Sequence, residues 1–79
     1  MTTIYVGVDD KKELISVLND MMELGYFDWY DEESIVRMSQ LSSVSYESAY
    51  IRNYGEIQGV YGPASFLNRD VVYSVDVEE

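Results

Sequence analysis

Apolar and polar positions alternate at the start of the chain, where Ile4, Val6 and Val8 are separated by Tyr5 and Gly7 before the pattern stops at Asp9-Asp10. A period of two marks a half-buried strand. From Asp10 the period lengthens: Leu14, Val17, Leu18, Met21 and Leu24 fall on one helical stripe, with Ile15 and Met22 widening it. Asp10 and Glu13 have the spacing of a capping box, and Gly25 offers a left-handed C-cap. At 100° per residue Glu13, Ser16, Asp20 and Glu23 gather on the opposite face, so the helix is expected to be amphipathic with an acidic outer stripe.

Beyond it, Tyr26-Phe27-Asp28-Trp29-Tyr30 sets four aromatics around one carboxylate. Asp31 then stands as a candidate N-cap with Glu32 and Glu33 in the following turn. A second, shorter helix is predicted from Asp31 to about Leu41, with Ile35, Met38 and Leu41 inward, Trp29 or Tyr30 stapled against Ile35, and Ser42-Ser43 ending it. Tyr46, Tyr50 and Tyr54 are four apart and fit a helix or a strand equally. Alternation through Val44, Tyr46, Ser48, Tyr50 and Arg52 favours a strand, with Gly55 as a bulge or bend. Glu56 to Tyr61, closed by Gly62-Pro63, reads as a further strand, and Val71, Tyr73, Val75 and Val77 alternate with Val72, Ser74, Asp76 and Glu78 as the last. The sum is an α+β fold in the order β-α-α-β-β-β, a small antiparallel sheet with two helices on one face, in a single domain spanning 1–79.

Length and charge narrow the functions open to such a domain. The chain has 79 residues, 15 acidic and 5 basic, no His and no Cys, for a formal charge of −10. A surface of that sign is repelled by nucleic acid backbones and by anionic lipid, so no direct nucleic acid and no membrane partner is expected. A 47% hydrophobic content argues against a disordered acidic tail. Without Cys or His there are no disulfides, no thiolate nucleophile and none of the commonest metal ligands. The N-terminus shows no basic segment followed by an apolar run, and the chain reads as a mature cytoplasmic protein.

Asp28, Asp31, Glu32 and Glu33 are oxygen ligands of the calcium type but lack the spacing of an EF-hand loop. A carboxylate pair can serve acid/base hydrolysis, yet a chain this short has little room for a substrate pocket, so no catalytic, cofactor or metal residue is assigned and the protein is expected not to be an enzyme. Gly59 and Gly62 lack a phosphate-binding pattern and read as turns. Tyr5, Tyr46, Tyr50, Tyr54, Tyr61 and Tyr73 read first as strand packing, and Met21, Met22 and Met38 as core filling. A helix-turn-helix over Asp31–Leu41 and Tyr46–Tyr54 is disfavoured because Arg52 is the lone base of its second segment, beside Glu47.

The acidic residues are unevenly placed. Between Glu13 and Glu33 seven acids occur without one base, so no pair along one helix can neutralise them. Such clustering costs stability and suggests a compensating use. Carboxylates three or four residues apart on a helix stand about 5–6 Å from each other, a spacing suited to imitating nucleic acid phosphates. The candidate partner-binding residues are therefore Glu13, Asp20, Glu23, Asp28, Trp29, Tyr30, Asp31, Glu32 and Glu33, the aromatics supplying anchoring contacts.

In size, acidity, absence of Cys and His, and the base-free run from Glu13 to Glu33, the chain resembles phage-encoded anti-defence inhibitors, the anti-CRISPR and anti-restriction DNA mimics. The resemblance is one of overall character and carries no diagnostic motif. It implies a non-enzymatic inhibitor, without cofactor, that occupies the basic nucleic-acid-binding groove of a CRISPR effector or restriction-type complex in an infected bacterial cytoplasm. Alternatives are an acidic immunity protein or antitoxin capping a basic toxin, and a phage structural or assembly protein. The edge of a small sheet also leaves a homodimer open.

Overall fold

The two ends of the chain meet in the middle of one sheet. The computed structural model describes residues 1–38, 48–60 and 71–79. They form β1 (Thr2–Val8), α1 (Lys11–Glu23), β2 (Trp29–Arg37), β3 (Ala49–Asn53), β4 (Glu56–Val60) and β5 (Val71–Glu78). The sheet order is β2-β5-β1-β3-β4. β5 lies antiparallel between β1 and β2, so those two strands run in the same direction with α1 joining them as a split β-α-β unit. β3 pairs parallel with β1, and β4 returns antiparallel to β3.

Strand β1 and helix α1 follow the hydrophobic pattern closely. Ile4, Val6 and Val8 are buried together with Val75 and Val77 of β5, under Leu14, Val17, Leu18 and Met21 of α1, and Phe27 completes the cluster. Burying each such side chain contributes about 1.5–3 kcal/mol. The helix begins at a capping box: Asp10 Oδ1 accepts the Glu13 N–H at 2.8 Å, and Glu13 Oε2 accepts the Asp9 N–H at 2.8 Å. It ends in a Schellman turn, in which the Tyr26 N–H donates to the Met21 carbonyl at 3.0 Å and the Gly25 N–H to Met22 at 3.1 Å. Gly25 takes φ +86°, a conformation costly for other L-residues. Leu24, which the periodicity places on the apolar stripe, is instead the C-cap residue and stands exposed.

The expected second helix is a strand, which corrects the β-α-α-β-β-β order to β-α-β-β-β-β. The sheet is mixed rather than antiparallel, and α1 is the one helix among the described residues. The acidic start at Asp31 looked like a helix cap because the local hydrogen bond is similar: Asp31 Oδ1 accepts the Glu33 N–H at 3.0 Å. The chain does not then coil. β-branched Ile35 and Val36 follow, and pairing with β5 satisfies the backbone, with Val36 opposite Ser74, Arg37 opposite Tyr73, and the Met38 N–H on the Val72 carbonyl at 2.8 Å. Tyr30 meets Phe27 edge-on at 6.4 Å instead of stapling a helix. Residues 39–47 and 61–70 lie outside the described residues, so the predicted helix end at Leu41 and Ser42-Ser43 and the predicted structure at Val44, Tyr46 and Gly62-Pro63 do too.

β3 and β4 are strands, as expected, and Gly55 is part of the two-residue turn that joins them rather than a bulge. Tyr54 (φ +52°) and Gly55 (φ +83°) both occupy the left-handed region between paired Asn53 and Glu56, the requirement of a type I′ hairpin. On the sheet face away from α1, Ala49 and Val72 are buried, with Tyr5, Met38, Ile51 and Val60 packed against them. No helix among the described residues is long and apolar enough to cross a membrane.

Tyr54 is 99% exposed, so no packing compensates its left-handed backbone. Replacing it by Asn, the preferred first residue of this turn, is expected to stabilise the domain by about 1 kcal/mol. Thermal unfolding checks this as a rise in midpoint of roughly 4–8 °C.

Candidate functional site

The nine residues singled out from the sequence fall into three places. Glu13 belongs to the α1 cap, its carboxylate committed to the Asp9 N–H. Asp20 and Glu23 line an open groove with Leu24, Gly55, Glu56 and Ile57, across from the β3–β4 hairpin. Asp20 is not a free charge, because Arg52 of β3 reaches over and pairs with it, while also donating to Ser16 Oγ at 3.3 Å. The anticipated stripe from Glu13 through Glu23 is therefore broken. About 15 Å of helix separates its ends, and its middle member carries a guanidinium.

The remaining six, Asp28 through Glu33, stay together. Asp28 leads into β2 at the edge of the sheet, and Trp29, Tyr30, Asp31, Glu32 and Glu33 of its first half line a pocket of about 430 Å³ with Met22 of α1. Trp29 is 49% exposed, whereas Tyr30 is half-buried against Phe27. Asp28, Glu32 and Glu33 are exposed.

Register then adds acids that the sequence reading left out. Trp29 pairs with Glu78, and Asp31 with Asp76, so the C-terminal strand carries two more carboxylates onto this edge. Directly opposed residues share a sheet face, with side chains about 4.5–5.5 Å apart. The Asp28 N–H fixes the approach of the two strands by donating to the Glu78 carbonyl at 2.8 Å. The signal was present in the alternation of β5, which puts Asp76 and Glu78 on one side. That signal joins Asp76 and Glu78 to the patch only when residues 31–37 form a strand, since a helix there leaves β5 without this neighbour.

An irregularity in β2 presents the charges. Between Asp31 and Val36 the strand advances five residues while β5 advances two, from Asp76 to Ser74. Ser34 holds this bulge: its Oγ donates to the Asp31 carbonyl at 2.6 Å and accepts the Asp76 N–H at 2.8 Å. Asp76 is steadied by the Thr3 hydroxyl, which donates to Oδ1 at 2.6 Å. Bulges re-aim side chains and blunt sheet edges, and this one turns Glu32 and Glu33 to solvent. The resulting surface is an oxygen-rich, acceptor-only rim around an aromatic ring, suited to guanidinium and ammonium groups. Among the described residues no group of three or more acidic side chains is arranged to hold a metal ion.

Two outcomes are expected from this geometry. Ser34→Ala removes both bridging hydrogen bonds, costing about 1–3 kcal/mol in denaturant unfolding and speeding hydrogen exchange of the Asp76 amide. Raising ionic strength from about 0.01 to 0.1 M, which shortens the screening length from roughly 30 to 10 Å, is expected to raise the thermal midpoint by relieving repulsion among Asp28, Asp31, Glu32, Glu33, Asp76 and Glu78.

The chain matches no family model, no curated protein and no solved structure, so the chemistry of this edge is read from its own residues.

Proposed function

We propose that the protein is a non-enzymatic, stoichiometric inhibitor that docks its acidic edge on a basic groove built for nucleic acid, of the kind a bacterial defence effector presents. The supporting observation is the pairing of β2 with β5, which sets Asp28, Asp31, Glu32, Glu33, Asp76 and Glu78 around the half-exposed Trp29. Carboxylates drawn from two strands make an area of negative charge rather than a line. A cleft rich in Lys and Arg meets such an area as it would a phosphate backbone, and exchanges its counterions for it. The charge steers encounter and sets orientation. Trp29 supplies the apolar anchor that long-range attraction lacks. The action needs neither cofactor nor metal, and its setting is the cytoplasm where the effector works.

The test is capture of partners on the tagged chain from bacterial lysate at low and high salt, with heparin added to half of each sample, followed by nucleic acid binding by the captured protein. A nucleic-acid-handling partner displaced by salt and heparin, whose DNA or RNA binding falls in proportion to added inhibitor, is the expected result. Combined D28N, D31N, E32Q and E33Q substitution should slow association at least tenfold. Asp31→Asn keeps an oxygen for the Glu33 N–H, so the turn survives. Trp29→Ala should weaken the complex by about 2 kcal/mol, roughly 30-fold in Kd. Full inhibition by the neutralised variant, or a partner that binds no nucleic acid, sinks the proposal.

A further inference from the structure

A second surface, on the far side of the α1 C-terminus from the Trp29 edge, has its own chemistry. The groove there measures about 410 Å³ and is floored by Leu24 and Ile57, with Asp20, Glu23 and Glu56 around it and Gly55 at its end. Exposed apolar side chains stand in it and near it in the chain: Leu24, which lines it, is 66% exposed, Tyr26 is 40% exposed, and Tyr54, next to the lining Gly55, projects wholly into solvent. Tyr26 touches the groove's wall at Ile57, whose carbonyl accepts its hydroxyl at 3.4 Å, and its ring meets Tyr50 edge-on at 5.5 Å.

Charge says what such a groove suits. Glu23 occupies the last turn of α1, where the helix dipole is already negative and no basic residue stands. Neither Glu23 nor Glu56 has an ion pair among the described residues, whereas Asp20 already holds the Arg52 guanidinium on the same rim. An incoming cation there relieves both the dipole and the carboxylates. The groove also borders β4, which is an edge strand among the described residues. An edge strand receives an extended chain through main-chain hydrogen bonds.

We infer that this groove docks an extended basic segment of a partner protein. One arginine or lysine sits between Glu23 and Glu56, and apolar neighbours rest on Leu24, Ile57 and the Tyr54 ring. The site is separate from the Trp29 edge and stands whether or not that edge binds a nucleic-acid groove. The left-handed backbone at Tyr54 fits the same picture, since the turn holds an aromatic ring at its tip where Asn would be more stable.

The probe is a synthetic seven-residue peptide alternating leucine and arginine, titrated into the ¹⁵N-labelled full chain, beside a heptaarginine peptide and a version with glutamate for arginine. Expected are amide shifts centred on Leu24, Tyr54, Gly55, Glu56 and Ile57, at least fivefold weaker binding of heptaarginine and none of the glutamate peptide. Tyr54→Asn, expected to fold more stably, should weaken the peptide at least tenfold, and Glu56→Gln severalfold. Glu79→Gln, which removes the same charge elsewhere, should change nothing. Equal affinity for heptaarginine, or shifts spread evenly over the acidic residues and unaltered by Tyr54→Asn, would reduce the effect to unspecific charge attraction and overturn the inference. Concentration-dependent shifts at the same amides without peptide, with a dimer in sedimentation, would overturn it by making a second copy the occupant.

Discussion

The ladder between the first and last strands is the constraint on which the rest depends. β1 and β5 pair from Thr2–Val77 to Val8–Val71, and each then supplies a free edge to a further strand. The same ladder alternates Ile4, Val6, Val75 and Val77 toward the helix, so the core and the sheet are one structure. β2 reaches the rest of the sheet only through β5, whereas β3 pairs with β1 directly. Closing so long a loop is entropically costly, and the domain depends on its last nine residues as much as on its first.

Electrostatics follows from topology. Two acidic stretches far apart in the chain become neighbours because β5 carries the C-terminal acids past β2. The fold answers part of the repulsion internally. Asp10 and Glu13 cap the helix, Asp20 takes Arg52, Asp31 closes a turn and Asp76 accepts the Thr3 hydroxyl. Each such bond contributes on the order of 1 kcal/mol. Exposed ion pairs of the Arg52 kind contribute less than that.

How much of this was legible differs between the two halves of the chain. Residues 1–25 carry consistent signals from period to caps, and the structure follows them in strand, helix and both helix ends, departing at Leu24, which is exposed at the C-cap. The stretch from Asp31 onward carries conflicting ones. An Asp with two Glu after it imitates a helix start, yet the deciding fact is a long-range partner, β5, and local pattern contains no information on pairing. The same ambiguity hid the acidic patch: Asp28 to Glu33 could be singled out by charge, but Asp76 and Glu78 join them only by register. The parallel pairing of β1 with β3 was likewise invisible, because alternation is the same in either direction.

The turn at Gly25 ties both candidate surfaces together. Within one helical turn, Met22 lines the pocket at the β2 edge while Glu23 and Leu24 line the groove beside β4. Ending the helix there, with Gly25 at positive φ, exposes Leu24 and directs the chain through Phe27, buried in the core, to the exposed Trp29. A helix one turn longer would continue the apolar stripe and offer no such division. The acids with internal partners sit where the fold needs an acceptor, at a cap, a bulge or an ion pair. Among those with no side-chain partner in the described residues, Glu23 and Glu56 line the groove with the exposed Leu24, and Glu32 and Glu33 line the edge pocket with the half-exposed Trp29. Under the proposed function and the inferred groove, these two places divide the work of binding a basic partner: charge brings it in and desolvation of the apolar anchor holds it.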